Sequence, residues 1–202
     1  MTSRIDFYFG LGSRYSYLAA TQIAKLERET GATVTWHPVT SGSLIAGEGM
    51  DPFSGPPISG QYDWDYRRRD AEDWAAFYGV PFRDPVGRLH YPSDLPAYAA
   101  LAAGRQGELV AMCHRMFRLI FVDDRTRFDE HDVAEEAREI GLDLERFNRD
   151  LEDPALLTEH KELVDAARRR GAFGVPTFLV GERLFWGNDR LALVAAAIRG
   201  EI

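Results

Sequence analysis

Ile5-Asp6-Phe7-Tyr8-Phe9-Gly10-Leu11-Gly12-Ser13-Arg14-Tyr15-Ser16 reads as a strand that runs through a glycine turn into a helix. Five β-prone residues precede the turn, and Ser13 stands where an N-cap belongs. Tyr15, Leu18, Ala19, Ile23 and Leu26 then repeat at helical spacing, and Gly31 supplies the stop. Thr33-Val34-Thr35-Trp36-His37 alternates as a second strand and closes at Pro38. Strand, helix, strand is the crossover unit of parallel sheets.

The far end of the chain returns to strand patterning. Thr177-Phe178-Leu179-Val180 and Leu184-Phe185-Trp186 flank Gly181-Glu182-Arg183, a short hairpin with a turn glycine. Asn188 or Asp189 is expected to cap a last helix with Leu191, Val194, Ala195 and Ile198 on its face. Between the two ends the pattern differs. Thr40 to Ser59 is rich in glycine, proline and serine and reads as a mobile loop, long enough to suggest a function. Helices follow over Tyr62 to Tyr78, stopped by Gly79 and Pro81, and over Leu95 to Phe121, with a break near Gly104 and Gly107. Asp129 caps a helix bearing Val133, Ala134, Ala137 and Ile140. Asp143 caps one bearing Leu144, Phe147 and Leu151, and Pro154 to Arg170 stops at Gly171. This order places helices inside an α/β fold. Residues 1–40 and 171–202 form one discontinuous domain, and 41–170 is a helical insertion.

Bulk properties restrict the function classes. At 202 residues, 45% hydrophobic and 28% charged, the chain buries a core of ordinary size. A net charge of −8 opposes both nucleic-acid binding and docking on anionic lipid, each of which needs a cationic surface. Arg67-Arg68-Arg69 and Arg168-Arg169-Arg170 have acidic neighbours and read either as solvated helix faces or as anion contacts. No signal peptide precedes the first strand and no apolar run approaches ~18 residues, so a cytoplasmic location is expected. The lone Cys113 allows no dithiol pair within the chain, and among Met112, Met116 and Phe117 it reads as a small buried hydrophobe. Five histidines without metal-ligand spacing predict no metal site.

Three short constellations carry polar groups at turns. Gly12-Ser13-Arg14-Tyr15-Ser16 puts a hydroxyl at a helix N-terminus, where it either caps the helix or donates to a thiolate or oxyanion. Gly174-Val175-Pro176-Thr177 places proline at a strand start. A cis bond there would leave the Val175 backbone as an edge for a peptide-like ligand. Trp186-Gly187-Asn188-Asp189-Arg190 gathers an aromatic, an amide, a carboxylate and a guanidinium. These residues either cap the helix or recognise an amino-acid head group, with Asp189 taking the ammonium and Arg190 the acid.

Together the three resemble the DsbA-like branch of the thioredoxin superfamily. Within it they resemble the 2-hydroxychromene-2-carboxylate isomerases and kappa-class glutathione transferases. Asp6-Phe7-Tyr8-Phe9, Ser13 to Ala19, Trp74 to Pro81, Gly174 to Phe178 and Trp186 to Leu191 carry the likeness, in the same order over nearly the whole chain. The resemblance implies an α/β, thioredoxin-like fold with a large all-helical insertion. It also implies that Ser13 replaces the first redox cysteine and stabilises the thiolate of bound glutathione. The proline of the Gly-Val-Pro turn would be cis, Val175 would pair with the cysteinyl part, and Asn188 and Asp189 would hold the γ-glutamyl head group.

The chain departs from the resembled pattern in three ways: Arg14 stands where proline is usual, Asp63 stands near an expected lysine, and Asp51 to Ser59 holds no counterpart of the asparagine expected in that loop. All three bear on whether the thiol is glutathione or another of low molecular weight. The expected activity is a thiol-dependent isomerisation of an aromatic-derived 2-oxo acid, catalysed at Ser13. Val175, Pro176, Trp186, Asn188, Asp189 and Arg190 would bind the thiol, and Arg14, Ser16, Tyr66 and Trp74 would face the substrate. The alternatives are a transferase that leaves the thiol in its product and a redox-inactive module that grips peptide. Disulfide exchange is excluded, because a serine cannot attack sulfur as a thiolate does. A homodimer is implied by the resemblance alone.

Overall fold

The computed structural model describes residues 3–45 and 63–202. Most of the glycine- and proline-rich segment read above as a loop, and Tyr62 with it, lie outside the described residues. The part that is described differs from that reading, because Ser41–Ile45 is a short helix, α3.

Four strands form one mixed sheet: β1 (Arg4–Phe9), β2 (Thr33–Pro38), β3 (Thr177–Val180) and β4 (Arg183–Trp186), in the order β2-β1-β3-β4. β1 and β2 are parallel with Phe7 opposite Trp36. β3 runs antiparallel to β1 with Phe178 opposite Phe7, and β4 returns from β3 through Gly181-Glu182. Gly181, at φ 59°, supplies the positive dihedral that a two-residue hairpin needs.

Alternation along the strands sets the two layers. Ile5, Phe7 and Phe9 face one side with Phe178, whose ring stacks on Phe7 at 4.8 Å, and Trp36 meets Phe7 and Phe9 edge-on. Tyr8 and Leu179 face the other side, against Val39, Leu44, Val164 and Ala167. Both faces are covered, the second also carrying Asp6, which meets His37 at 2.9 Å and Arg170 at 2.6 Å.

The first helical stretch is two helices rather than one, α1 (Arg14–Ala20) and α2 (Ile23–Thr30). The Thr21 hydroxyl donates to the Leu18 carbonyl, and Gln22 N–H reaches back only to Ala19, so one tight turn separates them. Further along, α4 (Trp64–Tyr78) starts at an Asp63 cap and ends at Gly79. The glycine-marked break parts α5 (Leu95–Gly104) from α6 (Leu109–Phe121). Asp129 and Asp143 cap α7 (Glu130–Glu139) and α8 (Leu144–Leu151), and Asp153 caps α9 (Pro154–Arg169). The last helix, α10 (Leu191–Ile198), follows a 3-10 turn at Asn188–Arg190 directly. Neither Asn188 nor Asp189 caps α10. Arg190 holds that position and makes no side-chain cap bond, which corrects the capping reading.

Candidate active site

The turn after β1 is held by its own serines. Ser13 N–H donates to the Gly10 carbonyl at 3.0 Å, and Ser16 Oγ accepts from Gly10 N–H at 3.3 Å. Ser13 Oγ accepts from Ser16 N–H at 3.3 Å and so caps α1. A hydroxyl that accepts this bond keeps its proton to donate elsewhere. Ser16 is fully buried, so it shapes the turn and lines no cleft. A Cβ on Gly10 would lie 2.2 Å from Ser41 Oγ and 3.4 Å from a Val175 methyl. The turn therefore meets both α3 and the Gly-Val-Pro segment.

That segment and the C-terminal turn are one unit. The Val175–Pro176 peptide is cis. β3 starts at Thr177, so Val175 stands outside the strand ladder. Gly187 N–H donates to the Pro176 carbonyl at 2.9 Å, and a Cβ on Gly174 would lie 2.7 Å from Trp186 Nε1. Trp186 is exposed and packs on Phe173 at 5.2 Å. Asn188 is only 4% exposed, and its carbonyl accepts from the Tyr78 hydroxyl at 3.0 Å. Its Nδ2 has no hydrogen-bond partner among the described residues. Asp189 and Arg190 are exposed and lie 3.5 Å apart. The turn packs on α1, so the three constellations adjoin.

Two clefts flank this neighbourhood. One, of about 300 Å³, lies between Gly10–Gly12, Val39–Gly42 and the insertion residues Leu89, Tyr91, Ser93, Pro96 and Ala97. The Tyr91 ring stacks on Phe128 at 4.2 Å, and burial pushes its hydroxyl up to about 12. The Thr40 hydroxyl in the same cleft donates to Asp94 and lies 3.2 Å from His160 Nε2. The other cleft, of about 310 Å³, is lined by Arg14, Trp64, Arg68, Asp84, Val86, Gly87 and Arg88.

Arg14 and Asp84 have side chains 6% and 4% exposed, and Nη1 sits 2.9 Å from Oδ2. The approach is off the hydrogen-bonding line, so the pairing is Coulombic and Nη1 keeps an unused donor. Burial pulls the guanidinium below its ordinary value, opposed by Asp84. Tyr66 is 52% exposed, and Trp74 packs on Phe77 and Tyr78. Neither Tyr66 nor Trp74 lines these two clefts.

Asp63, the departure from the resembled lysine, accepts from Asp65 N–H and caps α4. Cys113 is fully buried, and burial pushes its thiol up, away from thiolate chemistry. Among the described residues, His131, Asp132 and Glu135 bring ligand atoms within 4.8 Å of one another on α7, a grouping that histidine spacing did not reveal. Asp132 already accepts from Arg125 and from Asp129 N–H. No described helix is long and apolar enough to cross a membrane. Sequence reading missed Tyr91 and Asp84, which sit in an irregular segment between two prolines and have no periodicity to mark them.

The profile of the DSBA-like thioredoxin domain matches residues 4–199. A 2-hydroxychromene-2-carboxylate isomerase of Sphingobium xenophagum is 33% identical over 198 residues, 95% of each chain. Another of that name, from Pseudomonas putida, is 27% identical and covers 96% of this chain and 93% of its own. A solved 2-hydroxychromene-2-carboxylate isomerase superposes with a TM-score of 0.80 at 26% identity, covering 98% of this chain and 95% of its own. The chain therefore belongs to the DSBA-like thioredoxin domain family and, within it, to the 2-hydroxychromene-2-carboxylate isomerase branch.

Proposed function

We propose that this chain is a thiol-dependent isomerase of aromatic-derived 2-oxo acids, with glutathione as the thiol. One observation carries the reading: Ser13, Val175 and the Asn188–Arg190 turn adjoin, while the one cysteine is buried and inert. A thioredoxin-like site without its own thiol is suited to borrowing one. The names of the relatives supply the reaction class.

The buried, unpartnered Nδ2 of Asn188 supports a fit to the thiol, because such a donor is costly until an acceptor reaches it. In this reading the Asp189 carboxylate takes the ammonium of the head group, Arg190 its acid, and Trp186 borders it. The Val175 backbone, free of the ladder, pairs with the peptide part beside Pro176. Glutathione supplies a sulfur nucleophile that adds reversibly to a conjugated double bond and leaves unchanged, so the bond rotates in between. Ser13 holds the sulfur as thiolate through the proton its hydroxyl has left to give. Arg14, with its spare donor beside Trp64, lines the second cleft and meets the aryl end of the substrate, and Tyr66 and Trp74 border the approach along α4. Exposed Trp64, Tyr66 and Phe77 on the same helix suit the homodimer implied by the resemblance, and the mass in solution tests it.

Calorimetric titration with reduced glutathione tests the reading first, followed by assay of 2-hydroxychromene-2-carboxylate. Millimolar or tighter binding that weakens in Asp189→Ala, with catalytic rather than stoichiometric thiol use, is the expected result. Thiol retained in the product would make the enzyme a transferase instead. Peptide binding without thiol affinity would make it a binding module.

A further inference from the structure

Tyr91 brings a hydroxyl to the turn that carries Ser13. Gly12 has no side chain, and a Cβ there would lie 2.6 Å from the Tyr91 oxygen, so the hydroxyl rests against the turn one residue ahead of Ser13. The ring is clamped flat on Phe128, at 4.2 Å and 23°, and cannot swing away without losing that contact. The hydroxyl has no hydrogen-bond partner among the described residues, yet burial disfavours its ionised form. A phenylalanine would pack as well against Phe128, so the hydroxyl is what a tyrosine adds at this position. Thr40, the neighbouring hydroxyl in this cleft, is already engaged by Asp94 and His160. Tyr91 is thus a fixed, neutral donor in the wall of a cavity of about 300 Å³, its oxygen against Gly12 beside the proposed nucleophile site.

We propose that Tyr91 is a catalytic residue that donates a hydrogen bond to the 2-oxo oxygen of an aryl 2-oxo acid bound in this cleft. The inference rests on the proposed isomerase reading and adds to it the group that meets the developing charge. As electron density moves from the conjugated double bond onto that oxygen, a donor already in place stabilises the charge without reorganising. The proton stays on Tyr91, and the charge returns when the double bond re-forms, so the step consumes nothing. A phenol held neutral to about 12 keeps this role across the neutral range and is too weak an acid to give the proton up.

The test pairs Tyr91→Phe with a readout that needs no thiol. The carbonyl stretch of trans-benzylidenepyruvate, labelled with carbon-13 at its 2-oxo carbon, is recorded bound to wild type and to Tyr91→Phe by infrared difference spectroscopy. A lower frequency in wild type is expected, with a roughly 100-fold fall in kcat for Tyr91→Phe and unchanged glutathione affinity. An unmoved carbonyl band overturns the assignment even if kcat falls, since that would be a structural effect. Unchanged kcat, or failure of the probe to bind wild type, overturns it as well. If wild type proves to have no thiol-dependent isomerase activity, the band still decides whether Tyr91 meets the carbonyl, so the two ideas fail separately.

Discussion

Ser13 has two duties that can be measured apart. Its oxygen caps α1 by accepting from Ser16 N–H, and its proton is left for a ligand. Ser13→Ala removes both. Loss of the cap is expected to cost about 0.5–2 kcal/mol in denaturant unfolding. Loss of the donor is expected to lower kcat by about 10²-fold at saturating thiol. A fall in kcat no larger than the unfolding loss explains would leave Ser13 as a cap alone. Gly12 makes a complementary case. Its backbone is not in the left-handed region, so alanine is allowed there conformationally, but the new methyl would lie 2.6 Å from the Tyr91 oxygen. Gly12→Ala should cost about 1–3 kcal/mol through overpacking and should slow turnover while thiol affinity holds. Differential scanning calorimetry and thiol titration check the two halves.

Between elements, the buried Arg14–Asp84 pair joins the first turn of α1 to the irregular segment that precedes α5. Replacing only the arginine strands a carboxylate that is 4% exposed. Arg14→Leu is therefore expected to cost about 3–5 kcal/mol, and adding Asp84→Leu should restore most of it. Urea unfolding of the two variants tests this, and a double variant no better than the single would show that the pair is not the cause. The pair also marks where sequence reading stops. Arg14 looked odd by its position alone, and nothing in the chain's periodicity pointed to Asp84. Strands were legible because Phe7, Phe9 and Phe178 alternate with period two, and Asp129 and Asp143 were legible because caps are local. The break at Thr21 was hidden, since one side-chain bond to Leu18 causes it without any glycine or proline. Asn188 was misread as a cap for the opposite reason: its residue type fits a helix start, and only tertiary packing buries it under Tyr78. Of the site, the three end motifs were legible as motifs, whereas the clefts needed the insertion's path.

Across the whole molecule, the division into a thioredoxin half and an insertion describes the chain's path more than its cohesion. Phe9 of β1 packs on Phe117 of α6, Tyr15 of α1 bonds Asp70 of α4, and one buried cluster runs from Ile5 and Trp36 through Met112, Phe121 and Phe147. Such a core should unfold in one step, with tryptophan fluorescence and helical circular dichroism losing signal together. Separate transitions would mean that the insertion folds alone. The pH dependence of that single transition follows from histidines held across the same core. Burial holds His37 below its ordinary value, against the opposing pull of Asp6, and holds His160 down against Asp94. The unfolded chain takes up protons at these sites near the ordinary value of about 6.5, before the folded chain does. Their contribution is thus complete above about pH 6.5 and shrinks as pH falls through the lower folded values. Asp6 acts in the same direction further down: burial pushes it up, but Arg170 and His37 more than offset this, so the carboxylate favours the folded state until it protonates. Unfolding free energy should therefore drop between about pH 7.5 and about pH 5.5, and His160→Gln should flatten the slope. A flat profile for wild type would mean that these histidines take up protons as readily in the folded chain as in the unfolded one.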